Sequence, residues 1–320
     1  MTKGKASFLT CRYFFEFIGL KALVGVMNFL PMSLSAWIAR EIGKLMYFVL
    51  PGRRKVTMDN LTIAYGESLT LKEKERLAQE AFQNLAMSLM EFFRIPVLLK
   101  DAQDRFRFEG TQYLDEAFAK GKGVIFVLSH LGSWEYLSFL SFLRDYPFSA
   151  VVTGTKNPYI YQWIQELRRA VRINPLYKKN SIRKVLHELK QNRLVAILID
   201  QWAGKDGLWV DFFSKPTSTT SIPARLALKT GAALVPGYCL RIRPGYYKIV
   251  ISPEVLREEG PEAEEMTTLK LNRLLEKEIL NHPEQWSWTH CRWKGLERYQ
   301  VLKTGKASES RNMEEQGRHE

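Results

Sequence analysis

The chain has little cysteine and no long uninterrupted apolar run. Its three cysteines, Cys11, Cys239 and Cys291, lie far apart in 320 residues and form no Cys-x-x-Cys pair. This usage disfavours a disulfide framework and a zinc site, and is typical of reduced thiols in a cytosolic compartment. A secretory signal is not expected, because no small-residue cleavage site follows a compact apolar region.

Acidic residues are also in the minority. Asp and Glu number 34 against 47 Lys and Arg, which gives a formal net charge of +13. An excess of this size indicates an acidic partner, such as phospholipid head groups, nucleic acid, an acidic protein or a phosphorylated substrate. No recognisable motif for binding RNA or DNA is present, so nucleic acid is disfavoured and the other three partners remain.

The N-terminal segment, residues 1–52, is the most apolar part of the sequence. Residues 11–50 are rich in aliphatic and aromatic side chains, but charged residues and Pro31 interrupt them. We predict two helices, about 11–30 and 33–50, separated by Pro31. Three interpretations of these helices remain. They lie on a membrane surface, one of them is an imperfect transmembrane helix, or both are core helices of a soluble protein. Basic residues at both edges of the segment favour a membrane anchor.

The remaining sequence alternates between two patterns. A helical periodicity over residues 70–95 begins with a capping box of Thr70 and Glu73. Short apolar runs typical of buried strands follow at 123–130, 148–153, 194–200, 233–240 and 247–253, with helical patterns at 134–143, 158–172, 180–191, 221–230 and 263–281. The alternation predicts an α/β domain over 53–303, with a central mixed sheet flanked by helices. A polar tail, 304–320, is expected to be disordered.

The segment VLSHLGSWEYL, residues 127–137, carries the candidate chemistry. His130 ends an apolar strand, and Glu135 falls in the first turn of the following helix. Sites in open α/β sheets form at the carboxyl ends of strands. A carboxylate that holds one ring nitrogen of a histidine leaves the other free to take a proton. The pair therefore predicts a general base for attack of a hydroxyl on a carbonyl, the alternative being a helix-capping histidine beside a surface glutamate.

Three further groups are candidates for substrate binding. Asp200 ends the run 194–200 and Gln201 follows it. There they orient a head group, support the His130 loop or satisfy loop amides. Phe212 and Phe213 line an acyl groove or belong to the core. The third group is a basic stretch that comprises Arg168, Arg169, Arg172, Lys178, Lys179, Arg183 and Lys184. Its possible roles are to hold a phosphorylated lipid, to dock an acidic protein, or simply to form a solvated helix face.

Four motifs occur in order: SHLGSWE, LIDQ, VDFFSKPTSTTSIPARLALKTGAALVP and PEQWSWTHCRWK. Together they resemble the lipid A biosynthesis acyltransferases, the lauroyl/myristoyl late acyltransferases, from about Arg53 to Lys294. The resemblance implies a fold like that of glycerolipid acyltransferases and an anchored inner-membrane enzyme whose site faces the cytoplasm. Contact with anionic inner-membrane lipid is indicated separately, by the basic residues that flank the N-terminal segment. It also implies transfer of a fatty acyl chain from acyl carrier protein, or from acyl-CoA, to a hydroxyl of a lipid A precursor. No metal or tightly bound cofactor is expected.

On the family pattern, His130 is the base, Glu135 orients and charges it, and Asp200 lies near the site. The sequence departs from the pattern at Thr153, where many members have an arginine, and we expect Lys156 to supply that charge. Ser214 stands where glycine is usual. The alternatives are an acyltransferase acting on another glycolipid or a lysophospholipid, a hydrolase using the same pair, and a non-enzymatic basic protein that binds membranes.

Overall fold

The structure is a computed structural model that describes residues 3–177, 181–296 and 299. Two expectations fall outside these ranges: Lys178 as a substrate-binding residue and the disordered tail 304–320.

The chain begins with four long helices: α1 Lys3–Phe29, α2 Met32–Val49, α3 Pro51–Tyr65 and α4 Leu71–Phe93. The predicted break at Pro31 is confirmed, and the capping box of Thr70 and Glu73 at the start of α4 is present in both directions. Gly43 allows α2 to lie directly on α4, since a Cβ there would be 2.5 Å from the Cα of Gln83. Within the described ranges, no helix combines the length and apolar content needed to cross a bilayer.

The central sheet is mixed and has seven strands in the order β1-β9-β8-β2-β5-β3-β4. Only the β8–β9 pair is antiparallel. A separate antiparallel hairpin is formed by β6 and β7. The strands are β1 Phe106–Glu109, β2 Val124–Leu128, β3 Phe148–Val152, β4 Asn174–Tyr177, β5 Leu194–Leu198, β6 Leu208–Phe212, β7 Lys215–Thr219, β8 Ala233–Arg243 and β9 Tyr246–Ile251.

Helices cover both faces of the sheet, so the predicted α/β class with a mixed sheet is confirmed. The remaining helices are α5 Ile95–Leu98, α6 Ala102–Arg105, α7 Thr111–Ala119, α8 Phe139–Arg144, α9 Pro158–Ala170, α10 Ser181–Lys190, α11 Ile222–Thr230 and α12 Ala263–Asn281. One core includes α4, α12 and three tryptophans near the C-terminal end, and the other includes α7, α8 and α9. Both cores depend on the continuous apolar runs of β2 and β5, which have buried neighbours on each side.

The sheet separates between β3 and β5. These strands pair only from Phe148 to Ala150, whereas β3 continues beside β4 as far as Val152. On its other edge, β5 stays paired with β2 along the full length of both strands. The carboxyl ends of β3 and β5 are therefore not paired with each other, which leaves a gap in the sheet.

Candidate active site

His130 and Asp200 meet at the carboxyl ends of two adjacent strands. Strands β2 and β5 are parallel with Leu128 opposite Leu198, so His130 and Asp200 each come two residues after a paired position. Asp200 Oδ1 lies 2.9 Å from Nδ1 of the imidazole, and Oδ2 accepts the His130 backbone N–H at 2.8 Å. The indole N–H of Trp286 donates to the same Oδ2 at 2.9 Å. The Asp200 carboxylate is thus bound on both oxygens and is only 2% exposed.

The pKa values of the two groups move in opposite directions. Burial by itself lowers the pKa of His130, but the charge and hydrogen bond of Asp200, with a smaller contribution from the Glu135 charge, raise it above its ordinary value. Burial by itself raises the pKa of Asp200, but the His130 charge and the hydrogen bonds from His130 and Trp286 lower it overall. Asp200 is therefore ionised near neutral pH and can only accept, which assigns the proton of a neutral imidazole to Nδ1.

The other ring nitrogen faces the ligand-accessible side. Nε2 of His130 lies 3.3 Å from the side-chain amide nitrogen of Gln201, an exposed residue. With the proton on Nδ1, Nε2 carries a lone pair that accepts from this amide. A substrate hydroxyl placed at the Gln201 amide position would donate to the same lone pair. Gln201, a predicted substrate-binding residue, therefore lies beside the imidazole.

Glu135 does not hold the imidazole, and the predicted hydrogen bond between them is wrong. Its carboxylate accepts from the guanidinium of Arg168 at 3.0 Å, while Asp200 occupies the position on Nδ1. The physical reason is the strand register, which brings Asp200 level with His130, whereas Glu135 begins a 3₁₀ helix, Trp134–Ser138, on the other side of the ring. Glu135 still influences His130, because its negative charge contributes to the raised pKa.

A cavity of about 500 Å³ opens beside these groups, at the gap between β3 and β5. Its polar lining includes His130 with its neighbour Gln201, and Glu135 with its partner Arg168. Most of the remaining wall is apolar and comes from consecutive residues of both strands, including Ala150, Val151, Val152, Ala196, Ile197 and Leu198. Since consecutive strand residues point to opposite faces, the cavity passes into the plane of the sheet. It combines reactive polar groups with a hydrophobic slot.

Several other predicted substrate residues lie elsewhere. Lys156 is exposed in the loop between β3 and α9, and from that loop it is Thr153 that lines the cavity. Arg169 is exposed on α9, while its neighbour Arg168 has only 11% of its side chain exposed and lines the cavity. The expectation that consecutive basic residues act together is therefore corrected, because adjacent helical positions point in different directions.

The proposed acyl groove at Phe212 and Phe213 is also corrected. Phe212 is completely buried between Trp286 and Trp293, and Phe213 packs against the same core. The core alternative applies to both rings, and also to the tryptophans of the last motif. Arg292 in that motif is 0% exposed and donates to the backbone oxygen of Ser218 at 2.8 Å.

Trp286 contacts the carboxylate of Asp200, a contact that the sequence does not predict. Its indole ties the last motif to Asp200, 86 residues earlier in the chain. The only available signal was the position of this tryptophan in a motif rich in aromatic residues, which equally describes a core segment. The pairing of Arg168 with Glu135 likewise had no local signal, since 33 residues separate them.

Comparison with known proteins identifies the family of this chain. The family profile described as bacterial lipid A biosynthesis acyltransferase matches residues 1–295. The chain is 28% identical to the lipid A biosynthesis palmitoleoyltransferase of Escherichia coli (strain K12), over 91% of this chain and 95% of that protein. It is 26% identical to the lipid A biosynthesis lauroyltransferase of the same organism, over 92% and 96%. It is also 30% identical to the phosphatidylinositol mannoside acyltransferase of Mycobacterium tuberculosis (strain ATCC 25618 / H37Rv), over 63% and 66%.

Proposed function

Because this chain belongs to the bacterial lipid A biosynthesis acyltransferase family, we propose that it moves a fatty acyl chain from acyl carrier protein to a hydroxyl of a lipid A precursor. The observation that carries the proposal is the imidazole of His130, which Asp200 holds by Nδ1 while Nε2 faces a hydrophobic slot. A general base, an orienting carboxylate and a pocket for a hydrocarbon chain are the parts that acyl transfer to an alcohol requires.

The transfer begins with proton removal. His130 Nε2 takes the proton from the acceptor hydroxyl as its oxygen forms a bond to the thioester carbonyl carbon. Asp200 stabilises the imidazolium that results, and the negative charge of Glu135 adds to this effect. The carbon–sulfur bond then breaks, and the imidazolium returns the proton to the departing thiolate. The products are an ester and a free thiol, and no acyl-enzyme forms.

The hydrophobic slot is proposed to hold the fatty acyl chain. Its volume of about 500 Å³ lies within the range of roughly 300–1,000 Å³ that is usual for small-molecule sites. The walls from β3 and β5 are aliphatic, and the thioester carbonyl would sit beside the polar groups that line the cavity. With the chain in the slot, the carbonyl carbon is held near Nε2.

Attachment to the cytoplasmic face of the inner membrane is proposed through α1 and α2. Thirteen of the 22 exposed large hydrophobic side chains among the described residues lie between residues 14 and 50, with Phe15 72% and Phe29 92% exposed. Apolar side chains at this density are costly in water and favourable in the interfacial region of a bilayer. The basic residues Arg53, Arg54 and Lys55 follow immediately, where anionic lipid head groups would contact them.

Acyl carrier protein is proposed as the donor because it is an acidic protein and the chain is strongly basic. Exposed cationic side chains include Arg169 on α9 and Arg183 and Lys184 on α10. The similarity to phosphatidylinositol mannoside acyltransferases makes a mannosylated phospholipid the second candidate acceptor. Both acceptors are glycolipids with phosphate groups, so the same surface charge suits either.

The test is a reconstituted transfer reaction. The purified chain is mixed with vesicles, with acyl carrier protein or coenzyme A carrying the same acyl group, and with either glycolipid acceptor. Mass spectrometry of the lipids should show one added acyl chain on the lipid A precursor with the carrier-protein donor. The His130→Ala variant should lose transfer by ~10³-fold or more, because proton removal then falls to water.

Flotation of the same vesicles supplies the control. His130→Ala should float with the vesicles as well as the wild type does, since the contacts of the His130 ring are with Asp200, Gln201 and Trp134, which lie outside α1 and α2. Transfer by His130→Ala at the wild-type rate would contradict the proposed base. Free fatty acid as the main product in the presence of acceptor would instead identify a hydrolase.

A further inference from the structure

A completely buried ion pair lies beneath the turn that connects His130 to Glu135. Glu91, near the end of α4, is 1% exposed, and Arg241, near the end of β8, is 9% exposed. The Arg241 guanidinium donates twice to the Glu91 carboxylate, from Nε to Oε1 and from Nη2 to Oε2, each at 2.5 Å. This bidentate pair is separate from the base, its carboxylate and the cavity walls described above.

The ion pair is the centre of a saturated hydrogen-bond network. Glu91 also accepts from the hydroxyls of Ser133, at 2.6 Å, and Tyr247, at 2.9 Å. Arg241 also donates to Asn84 and to Ser88 Oγ, the latter at 3.0 Å. Both carboxylate oxygens of Glu91 and the three guanidinium nitrogens of Arg241 therefore have hydrogen-bond partners within the protein. A network of this kind permits one arrangement of its members.

The catalytic turn is attached to this network at two residues. Ser88 Oγ donates to the backbone oxygen of Gly132 at 2.9 Å, and Ser133 Oγ donates to Glu91. The turn also binds the backbone of β8, because the N–H of Ser133 donates to the backbone oxygen of Cys239 at 2.8 Å. A Cβ on Gly132 would lie 2.2 Å from that oxygen, which explains the glycine. The turn is therefore fixed from below over residues 132–133.

Stability alone is a poor reason for such a pair. Removing two charges from water costs about as much as their attraction returns, and well-packed apolar replacements are often as stable. Placement gives a better reason, because displacing a catalytic group by about 1 Å can reduce the rate by about 10²-fold. Ser133 lies between the base on one side of the turn and Glu135 on the other, so its position determines the distance between them.

We propose that the Glu91–Arg241 network is a positioning device for the acyl-transfer site, which acts through Ser133 on the separation of His130 and Glu135. The inference rests on the proposed function of His130 as the base. Glu91 and Arg241 touch neither the base nor the cavity, so they are positioning residues and not catalytic ones.

The first test cuts the link and leaves the ion pair in place. Ser133→Ala removes one hydroxyl, so the melting temperature should stay within a few degrees of the wild type. The turnover number kcat should fall about tenfold at unchanged KM, because substrate contacts are intact and only the reacting geometry is altered. Wild-type kcat in this variant would overturn the proposal.

Ser149→Ala is the matched control. Ser149 on β3 is 0% exposed, and its hydroxyl donates to Glu188 at 2.5 Å, so the substitution also removes a buried serine–glutamate hydrogen bond. It should change the melting temperature by a similar amount and leave kcat unchanged. An equal loss of kcat in both variants would show that any buried defect has this effect, and would overturn the proposal.

The second test alters the ion pair itself. Arg241→Lys keeps the positive charge but loses the planar fork that binds both Glu91 oxygens. It should lower kcat more than Ser133→Ala does. If this variant does not fold, the Ser133→Ala result decides alone. Wild-type kcat in folded Arg241→Lys would also overturn the proposal.

The pH profile separates positioning from simple loss of active enzyme. The charged or titratable groups around His130 are Asp200, Glu135 with its partner Arg168, and His290. Movement of the turn changes their distances to the ring, so the acid limb of kcat/KM should shift in Ser133→Ala. Loss of active molecules would lower the curve at every pH without a shift, and that result would overturn the proposal. If the wild type itself shows no transfer, the proposed function fails before this inference is tested.

Discussion

The loop after β5 and the turn after β2 each bring one carboxylate to His130, but the two environments differ. Asp200 is 2% exposed and its oxygens accept from a ring nitrogen, a backbone amide and an indole. The Glu135 side chain is 28% exposed, lines the cavity and pairs with Arg168. A buried, saturated carboxylate fixes one orientation, whereas a partly exposed one can respond to substrate. We therefore assign orientation of the base to Asp200 and charge stabilisation beside the substrate to Glu135.

The largest effect should come from Asp200→Asn. The amide fills the same space but presents an N–H toward Nδ1 in one of its orientations, which favours the tautomer with the proton on Nε2. The base would then have no lone pair facing the acceptor. In a serine protease the equivalent change costs ~10⁴ in kcat, and we expect a loss of ~10³-fold or more in steady-state transfer. A loss smaller than that of Glu135→Gln would reverse the assignment of the two roles.

An intermediate effect is expected for Glu135→Gln. It removes a charge that faces the imidazolium but leaves Asp200 on Nδ1, so kcat should fall by ~10²-fold, as is typical for one electrostatic contact in a transition state. Arg168→Met should give a similar loss, and the double variant should lose little more than either single one. Additive losses in this double-mutant cycle would show that Arg168 acts on the substrate directly and not through Glu135.

The smallest effect, and the most diagnostic, concerns the acid limb of kcat/KM. The base must be neutral, and the folded-state pKa of His130 is raised. Activity should therefore be full at high pH and fall as pH decreases through a midpoint above about 6.5, the ordinary histidine value. Removing the Asp200 charge leaves burial as the main influence and should lower the midpoint. Glu135→Gln should lower it less, because its charge is the smaller cause.

The pH series has a defined control and a defined failure. The Ser149→Ala variant should share the wild-type midpoint, because its hydroxyl contacts Glu188 and Asn174 and not the base. Equal shifts of the pH midpoint in Asp200→Asn and Glu135→Gln would show that the two carboxylates act equivalently on the imidazole, and would contradict their different roles. Activity that rises as pH falls below 6 would exclude a neutral imidazole as the base.

Much of the fold could be predicted because its central elements have strong local signals. The runs that became β2 and β5 are apolar without interruption, and the start of α4 has a reciprocal cap. Strands β1 and β4 were missed, since FRFE and NPLY are short and carry polar residues. The hairpin of β6 and β7 was missed for a related reason: Lys215 and Pro216 begin its second strand. These elements acquire their structure from neighbouring strands more than from their own sequence.

The site was predicted in part. A histidine at the end of an apolar strand is a local pattern that predicts His130 as a site residue, and Gln201 follows a second such strand; both side chains line the cavity. The partner of the ring was assigned to Glu135, the nearest carboxylate in sequence, although Asp200 is 70 residues away. Lys156, Arg169, Phe212 and Phe213 were grouped with the substrate by residue type, which carries no information about direction. The cavity has no sequence signal, because it arises where two strands stop pairing.

The sequence by itself determined the α/β alternation, the apolar N-terminal helices, the family and the histidine at a strand end, because each is written in the periodicity or order of neighbouring residues. Tertiary structure alone decided which carboxylate binds that histidine, which arginine reaches the cavity, and that Glu91 and Arg241 lie beneath the turn. The physical reason is that hydrogen bonds act over about 3 Å in space. Strand register and helix packing set such distances between residues that are far apart in the chain.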